Sequence, residues 1–470
     1  LAKATVADDL TPGTTEHLCK SLAQLWRYLS SWLAPDGGIN GPVVHRCDLK
    51  RMFSIHDTPW TQGPVIEGLV HLYKKSGDRY WFDKATMLAD AQCNRLLEDG
   101  SFKWAGHEDD RYSSLIHNAL ADCGILAVAE VLLEYGLDGK KLSHYVATVE
   151  INIRKHLMDR LFNESIGGFM MNVPTRGLSE AATGRFIANM NSVAAEAMIR
   201  LDLLRGKQEF IPLAKKFGQD ILSLQCNSGL DQGAFGYSKT QLHCCITIYT
   251  ALTLRGLPYL YQVSGDASYL RAVKKALVHL ETLRDQKTGL WYHKMEDGVV
   301  FQYPIFLSGA GVICNSILDA VNLIGETVDT ERMVRDILQH QLPNGAICNF
   351  IGYDHIDNGR KKGKGKQCWE DVFPTPNWNA HAFLFLSRVV DPPNPNKARY
   401  VKSNLVANLR FVYFESKKIS SIASCYPLRS AVLAFYVKHL RHGFVFPIFK
   451  VLLFVYKYSG LSILKRKMLS

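Results

Sequence analysis

The chain has 470 residues, 47% hydrophobic and 21% charged. These are the values of a globular protein with a sizeable core and exclude a chain too polar to fold. The net charge of +11 is unevenly placed: residues 396–470 hold fourteen Lys or Arg against Glu415 alone, which leaves the rest near neutral at −2. An acidic partner, a membrane surface or a nucleic acid, would therefore be met by the C-terminal tail. Residues 1–20 hold no long apolar run, so no intact signal peptide is expected there.

In chain order, residues 15–33 read as an amphipathic helix closed by "APDGGING". A recurring pair follows. A largely apolar helix at 60–75 ends in "SGD", and a helix with a polar face at 79–97 stops at "LEDGSF". The Asp caps the second helix by accepting bonds from its free N–H groups. The glycine takes the left-handed turn that ends it. Further apolar helices fall at 113–135, 187–206, 244–263, 305–325 and 378–390, with partner helices at 142–160, 209–225, 268–284 and 330–341. Helices such as "SLIHNALADCGILAVAEVLL" are apolar nearly all round and belong inside; partners such as "SYLRAVKKALVHLETLR" keep a polar face and belong outside.

Six inner and six outer helices predict an all-α (α/α)6 toroid over residues 1–392, closed by pairing residues 15–33 with the last inner helix. Inner-to-outer turns are short. Outer-to-inner loops are long, at 97–112, 160–186, 226–243, 285–304 and 342–377. All inner helices run the same way, so the long loops share one rim, where function is expected. The inner-helix N-termini point at that rim and favour anions.

The rim segments carry the candidate chemistry. "FSIHDTPWTQG" offers Asp57, Trp60 and Gln62; Asp57 equally suits an N-cap and Trp60 a core anchor. "HEDDRYSSLIHN" offers Glu108, Asp109, Asp110 and Tyr112, with His117 one turn into the helix. "RFIANMNSVAAEA" offers Arg185, Asn189, Asn191 and Glu196. Asn is a poor helix former, so two on a buried helix need polar partners or a ligand. "YSKTQLHCC" adds His243 and "VFQYPIF" adds Tyr303. "QCWEDVFPTPNWNAHAF" adds Trp369, Glu370, Asp371, Trp378, Asn379 and His381.

Aromatics, carboxylates, amides and bases together suit a sugar. Two sets of groups are present. Asp57, Glu108, Asp109, Asp110, Glu370 and Asp371 suit the paired-carboxylate chemistry of glycoside hydrolysis. Arg185, Asn189, His117, His243 and Tyr303 suit a lyase or epimerase, which neutralises a uronate and removes its C5 proton. No cofactor or metal is expected. The eleven cysteines form no CxxC pair and read as reduced core residues. His243, Cys244 and Cys245, placed on a helix, would point about 100° apart and converge poorly on one ion.

The hairpin count, the "W…G…GL..LY..SGD..YW" pattern from Trp60 to Trp81 and the "DG(G/S)" stops resemble the six-hairpin glycosidase superfamily over about residues 10–392. The pattern is similar to unsaturated glucuronyl and rhamnogalacturonyl hydrolases, and more loosely to toroidal polysaccharide lyases and uronyl epimerases. The resemblance implies an oligo- or polysaccharide, often a uronate, bound in the ring's mouth. The expectation is a carbohydrate-active enzyme. Glycoside hydrolysis of an acidic or cell-envelope glycan stands ahead of lyase or epimerase chemistry. A non-catalytic glycan-binding or scaffold protein of a membrane-associated polysaccharide assembly is another reading. So is a terpene-cyclase-like toroid, although DxDD and DDxxD are missing.

The prolines of "VVDPPNPNKARY" mark a boundary. Residues 393–470 are basic and aromatic, and none of their apolar runs reaches the ~20 residues that span a bilayer. That is the profile of a helix lying in the membrane interface. An anionic membrane surface is the expected partner, with no nucleic acid. The expected location is cytoplasmic, peripheral on the inner membrane face.

Overall fold

Aspartates begin the outer helices. Asp78, Asp138, Asp266 and Asp329 each accept a backbone N–H from the first turn that follows. The helix from Ile211 has no aspartate N-cap, and there Asp202 of the preceding inner helix takes over and accepts from Phe210 N at 2.6 Å and Ile211 N at 3.0 Å. An N-cap of this kind contributes about 1 kcal/mol.

A computed structural model gives the fold and describes residues 11–34, 36–39, 41–42, 55–56, 59–103, 114–173, 184–303, 305–307, 309–348, 350–351 and 374–390. The helices in chain order are α1 (Pro12–Ser30), α2 (Pro59–Ser76), α3 (Arg79–Cys93), α4 (Leu115–Glu134), α5 (Gly139–Ile151), α6 (Ala188–Arg205), α7 (Ile211–Ser223), α8 (Thr247–Ser264), α9 (Ala267–Thr282), α10 (Ala310–Ile324), α11 (Thr330–Leu338) and α12 (Pro376–Val389). A π-helical stretch, Asn152–Leu161, extends α5.

The even-numbered helices are the inner ring. Each packs on the next, α2 on α4, α4 on α6, α6 on α8, α8 on α10, α10 on α12, and α12 returns to α2. Each remaining outer helix packs on the inner helix before it, and α1 packs on α12, closing the toroid. Tyr28 on α1 fastens the closure by donating to Pro374 O at 2.9 Å. Small residues let the inner helices approach. A Cβ on Gly124 of α4 would come within 2.7 Å of the Gly63 Cα on α2. Helix α4 is long and apolar enough to cross a membrane, but 89% of its apolar window is buried inside the ring. It is a core helix.

Short strands edge the outer-to-inner loops: β1 (Gly41–Pro42) with β2 (Ile55–His56), β3 (Phe162–Asn163) with β4 (Gly168–Phe169), and β8 (Ile305–Phe306) with β9 (Phe350–Ile351). β5 (Cys244–Ile246), β6 (Lys294–Glu296) and β7 (Val299–Phe301) form an antiparallel sheet in that order. Residues 244 and 305 were expected to begin inner helices, and both lie in strands instead. Short apolar runs read alike as helix or strand, and pairing with a neighbouring loop decides between them.

Candidate active site at the mouth of the ring

Polar side chains near the inner-helix starts tie the long loops down. Asn191 accepts from Phe169 N at 2.8 Å and donates to Phe169 O at 3.0 Å. Asn379 does the same to Ile347, at 2.7 Å and 2.9 Å. Asn118 accepts from Phe102 N, Gln62 from Ile39 N and Thr250 from Phe235 N. In every case the clasped residue closely follows the glycine that stops the preceding outer helix. Three candidate ligand-binding amides, Gln62, Asn191 and Asn379, are thus bonded within the protein. Gln62 also donates to Gln92 Oε1 at 2.6 Å.

Four rings meet where the first turns of α12, α2 and α4 adjoin. The Trp60 ring lies 4.8 Å from His381, 5.3 Å from Trp378 and 5.8 Å from His117, centroid to centroid. Trp60 and His381 are buried, whereas His117 and Trp378 keep partial exposure. Burial pushes the His381 imidazole down to about 3, and the Arg255 charge adds to the shift. Its Nε2 and the Trp60 Nε1 are buried without hydrogen-bond partners among the described residues. Asn315 on α10 donates to His381 O at 3.0 Å and fixes the turn that carries the imidazole.

The ring is plugged deeper down. Glu67, Cys123, Glu196 and Arg255 each stand eight residues into α2, α4, α6 and α8, so all lie about 12 Å below the helix starts. Helices α2 and α8 face each other across the ring, and Arg255 spans the gap to reach Glu67 at 2.5 Å and Glu196 at 2.6 Å. Arg200 joins Glu67, Glu196 and Glu130 at 3.2, 2.9 and 2.7 Å. Buried charges persist only when paired. This layer floors the mouth, and burial beside it holds the Cys123 thiol well above its usual range. Glu67, Glu130, Arg200 and Arg255 were not singled out from sequence. The available signal was a charge inside an otherwise apolar inner helix.

The other candidates are more scattered. Arg185 donates to Gln241 Oε1 at 2.9 Å. Asn189 is buried at the start of α6. Tyr303 is 40% exposed. His243 has an exposed ring bonded to Asp231 at 2.6 Å. Asp57, Glu108, Asp109, Asp110, Tyr112, Trp369, Glu370 and Asp371 lie outside the described residues. An open groove lined by Asp83, Asp90 and Lys141 sits on the outer wall between α3 and α5, away from the mouth.

No family model matches the sequence, and no curated protein does either. Solved structures do match. D-mannose isomerase superposes with a TM-score of 0.58 at 12% identity, covering 83% of this chain and 99% of that one. The fold is that of the six-hairpin glycosidases. An unsaturated glucuronyl hydrolase specific for heparin gives a TM-score of 0.56 at 13% identity, over 80% of this chain and 97% of that one. Cellobiose 2-epimerase from Bacillus thermoamylovorans B4167 gives 0.55 at 9%, over 80% and 100%. At such identities the six-hairpin likeness is one of fold. The chemistry has to be argued from this chain's own residues.

Proposed function

We propose that the protein is a carbohydrate-active enzyme that binds a saccharide in the ring's mouth, above the Arg200–Arg255 charge layer. Solved structures of the same fold include an isomerase, an epimerase and a hydrolase of saccharides. The observation that carries the reading is the His381 imidazole beside Trp60 and Trp378, with His117 also against Trp60. Trp378 offers a partly exposed face for a sugar ring to stack on. His381, held neutral, is in the form that accepts a proton, and its unpartnered Nε2 leaves that capacity open. A general base works best with a pKa near the working pH, so an anionic substrate group beside His381, which raises its pKa, is what brings it into use. The reaction that suits these groups is proton removal and return at a carbon beside a carbonyl or carboxylate, as in sugar epimerisation or isomerisation.

Glycoside hydrolysis is the second reading. It is favoured by the carboxylates Glu108, Asp109, Asp110, Glu370 and Asp371, which precede α4 and α12 in the sequence, the helices that carry His117 and His381. The basic tail is proposed to hold the enzyme on an anionic membrane surface.

The test is incubation with reducing sugars, uronate polymers and unsaturated uronyl oligosaccharides in deuterium oxide, followed by NMR. Deuterium entering a ring carbon with the glycosidic bonds intact, and lost in His381→Asn, supports proton transfer. Falling absorbance of the C4–C5 double bond with new reducing ends, retained in His381→Asn, selects hydrolysis. Neither signal from any of the sugars counts against both readings.

A further inference from the structure

Beyond the mouth, the loop between α7 and α8 gathers four metal-ligating side chains. The ligand atoms of Cys226, Asp231 and His243 all lie within 4.8 Å of one another. Cys245 Sγ stands 3.9 Å from Cys226 Sγ but outside that three-residue set, so it completes the ligands by closing on Asp231 and His243. Cys226, Asp231 and Cys245 are buried, and His243 closes the set from the solvent side. Backbone bonds fix the loop: Cys226 N donates to Ala234 O at 2.9 Å, Gly233 N to Cys226 O at 2.8 Å and Ala234 N to Asp231 O at 2.9 Å. Gly233 has φ +91°, and a Cβ there would come within 2.2 Å of Lys275 O.

The expectation that this region holds no metal set rested on a helix through Cys244 and Cys245. Residues 244–246 form strand β5, and successive side chains on a strand face opposite ways. Cys245 therefore turns inward to Cys226 while Cys244 turns away.

We infer that Cys226, Asp231, His243 and Cys245 form a structural zinc site that pins the 226–245 loop to the rim. Two thiolates, an imidazole and a carboxylate are a zinc donor set. A tetrahedron with Zn–S bonds of about 2.3 Å has a sulfur–sulfur edge of about 3.8 Å, close to the observed 3.9 Å. The Asp231–His243 edge is at hydrogen-bond length, 2.6 Å. Zinc takes the place of the shared proton there, and that edge widens by about 0.7 Å to fit bonds of about 2.0 Å. Binding releases the thiol protons. Four protein ligands leave no open position, so the ion is a clamp and not a catalyst. Through β5 it steadies the β5–β6–β7 sheet beside the mouth.

The experiment uses the full chain with thiols kept reduced, titrated with Co²⁺ and then Zn²⁺. One equivalent of Co²⁺ per chain, with the strong visible bands of tetrahedral thiolate coordination and displacement by Zn²⁺, is expected. Cys244→Ser should behave as wild type. Cys226→Ser and Cys245→Ser should bind about 100-fold more weakly. Zinc should raise the melting temperature of wild type and Cys244→Ser alone. A reduced wild type that takes up no stoichiometric Co²⁺ overturns the site, as does full binding by both serine variants. A Cys226–Cys245 disulfide that forms despite equimolar zinc overturns it in favour of a redox pair.

Discussion

Asn379 holds both backbone polar groups of Ile347, accepting from its N–H at 2.7 Å and donating to its C=O at 2.9 Å. The two residues are 32 positions apart, on the first turn of α12 and just beyond the stop of α11. Asn191 repeats the arrangement with Phe169. The clasp joins the end of one hairpin to the start of the next, so it is a device of the ring rather than of the ligand.

Replacing Asn379 or Asn191 with Ala strands two buried backbone groups. Each stranded group costs about 1–3 kcal/mol. Urea unfolding should show a loss of about 2–4 kcal/mol for either variant. Asn379→Asp should not rescue, because a carboxylate cannot donate to Ile347 O.

Arg255 bridges the ring axis, so its loss leaves Glu67 and Glu196 short of a counter-charge. Arg255→Met is expected to cost about 3–5 kcal/mol. Adding Glu67→Leu should recover part of that loss, giving a measurable coupling in a double-mutant cycle. Additive losses would place the two side chains in separate environments.

His381 gives a pH dependence of defined sign. Its pKa is 6.5 ordinarily and about 3 in the fold. The unfolded chain takes up the proton below 6.5 and the folded chain does not. The stability is therefore whole above pH 6.5 and is lost as the pH falls toward 3, at about 1.4 kcal/mol per unit. His279, pushed down to about 4 by burial, acts in the same direction. Urea midpoints at pH 7 and pH 5 should differ less for His381→Asn than for wild type.

Asp122 has the opposite sign. It is fully buried on α4, neither oxygen has a hydrogen-bond partner among the described residues, and burial raises its pKa well above 3.8. The unfolded chain ionises this group first, so its contribution is present below pH 3.8 and is lost as the pH rises through the folded pKa. Asp122→Asn should stabilise the protein at neutral pH. The gain should grow between pH 5 and pH 8 by up to about 1.4 kcal/mol per unit. No gain at pH 8 would mean that the carboxylate is compensated in the fold.

The proposed tail contact has a direct assay. The full chain should pellet with vesicles containing anionic lipid at low salt and less so at high salt. A chain ending at residue 390 should stay in the supernatant. Equal pelleting by both chains would remove the tail from the interaction.

The helical hairpins and the closing role of α1 were legible in the sequence because they rest on local signals. Apolar faces, aspartate caps and glycine stops act within a few residues and recur along the chain. The rim was legible too, from loop length alone. The use of each polar residue was not. Asn191 reads equally as a ligand-binding amide or a loop clasp, and only the position of Phe169 separates the two. Cys245 reads as a core thiol until a strand turns it toward Cys226. Glu67, Glu196 and Arg255, spread over almost 190 positions, meet only because the ring closes and sets equal depths side by side. The sequence by itself determined the helices, their order and the rim, since these depend on neighbours in the chain, whereas the short strands depend on pairing between loops. Tertiary structure alone decided which charges pair, which amides clasp and which imidazole is held neutral, because burial and distance between remote residues exist only once the ring has closed.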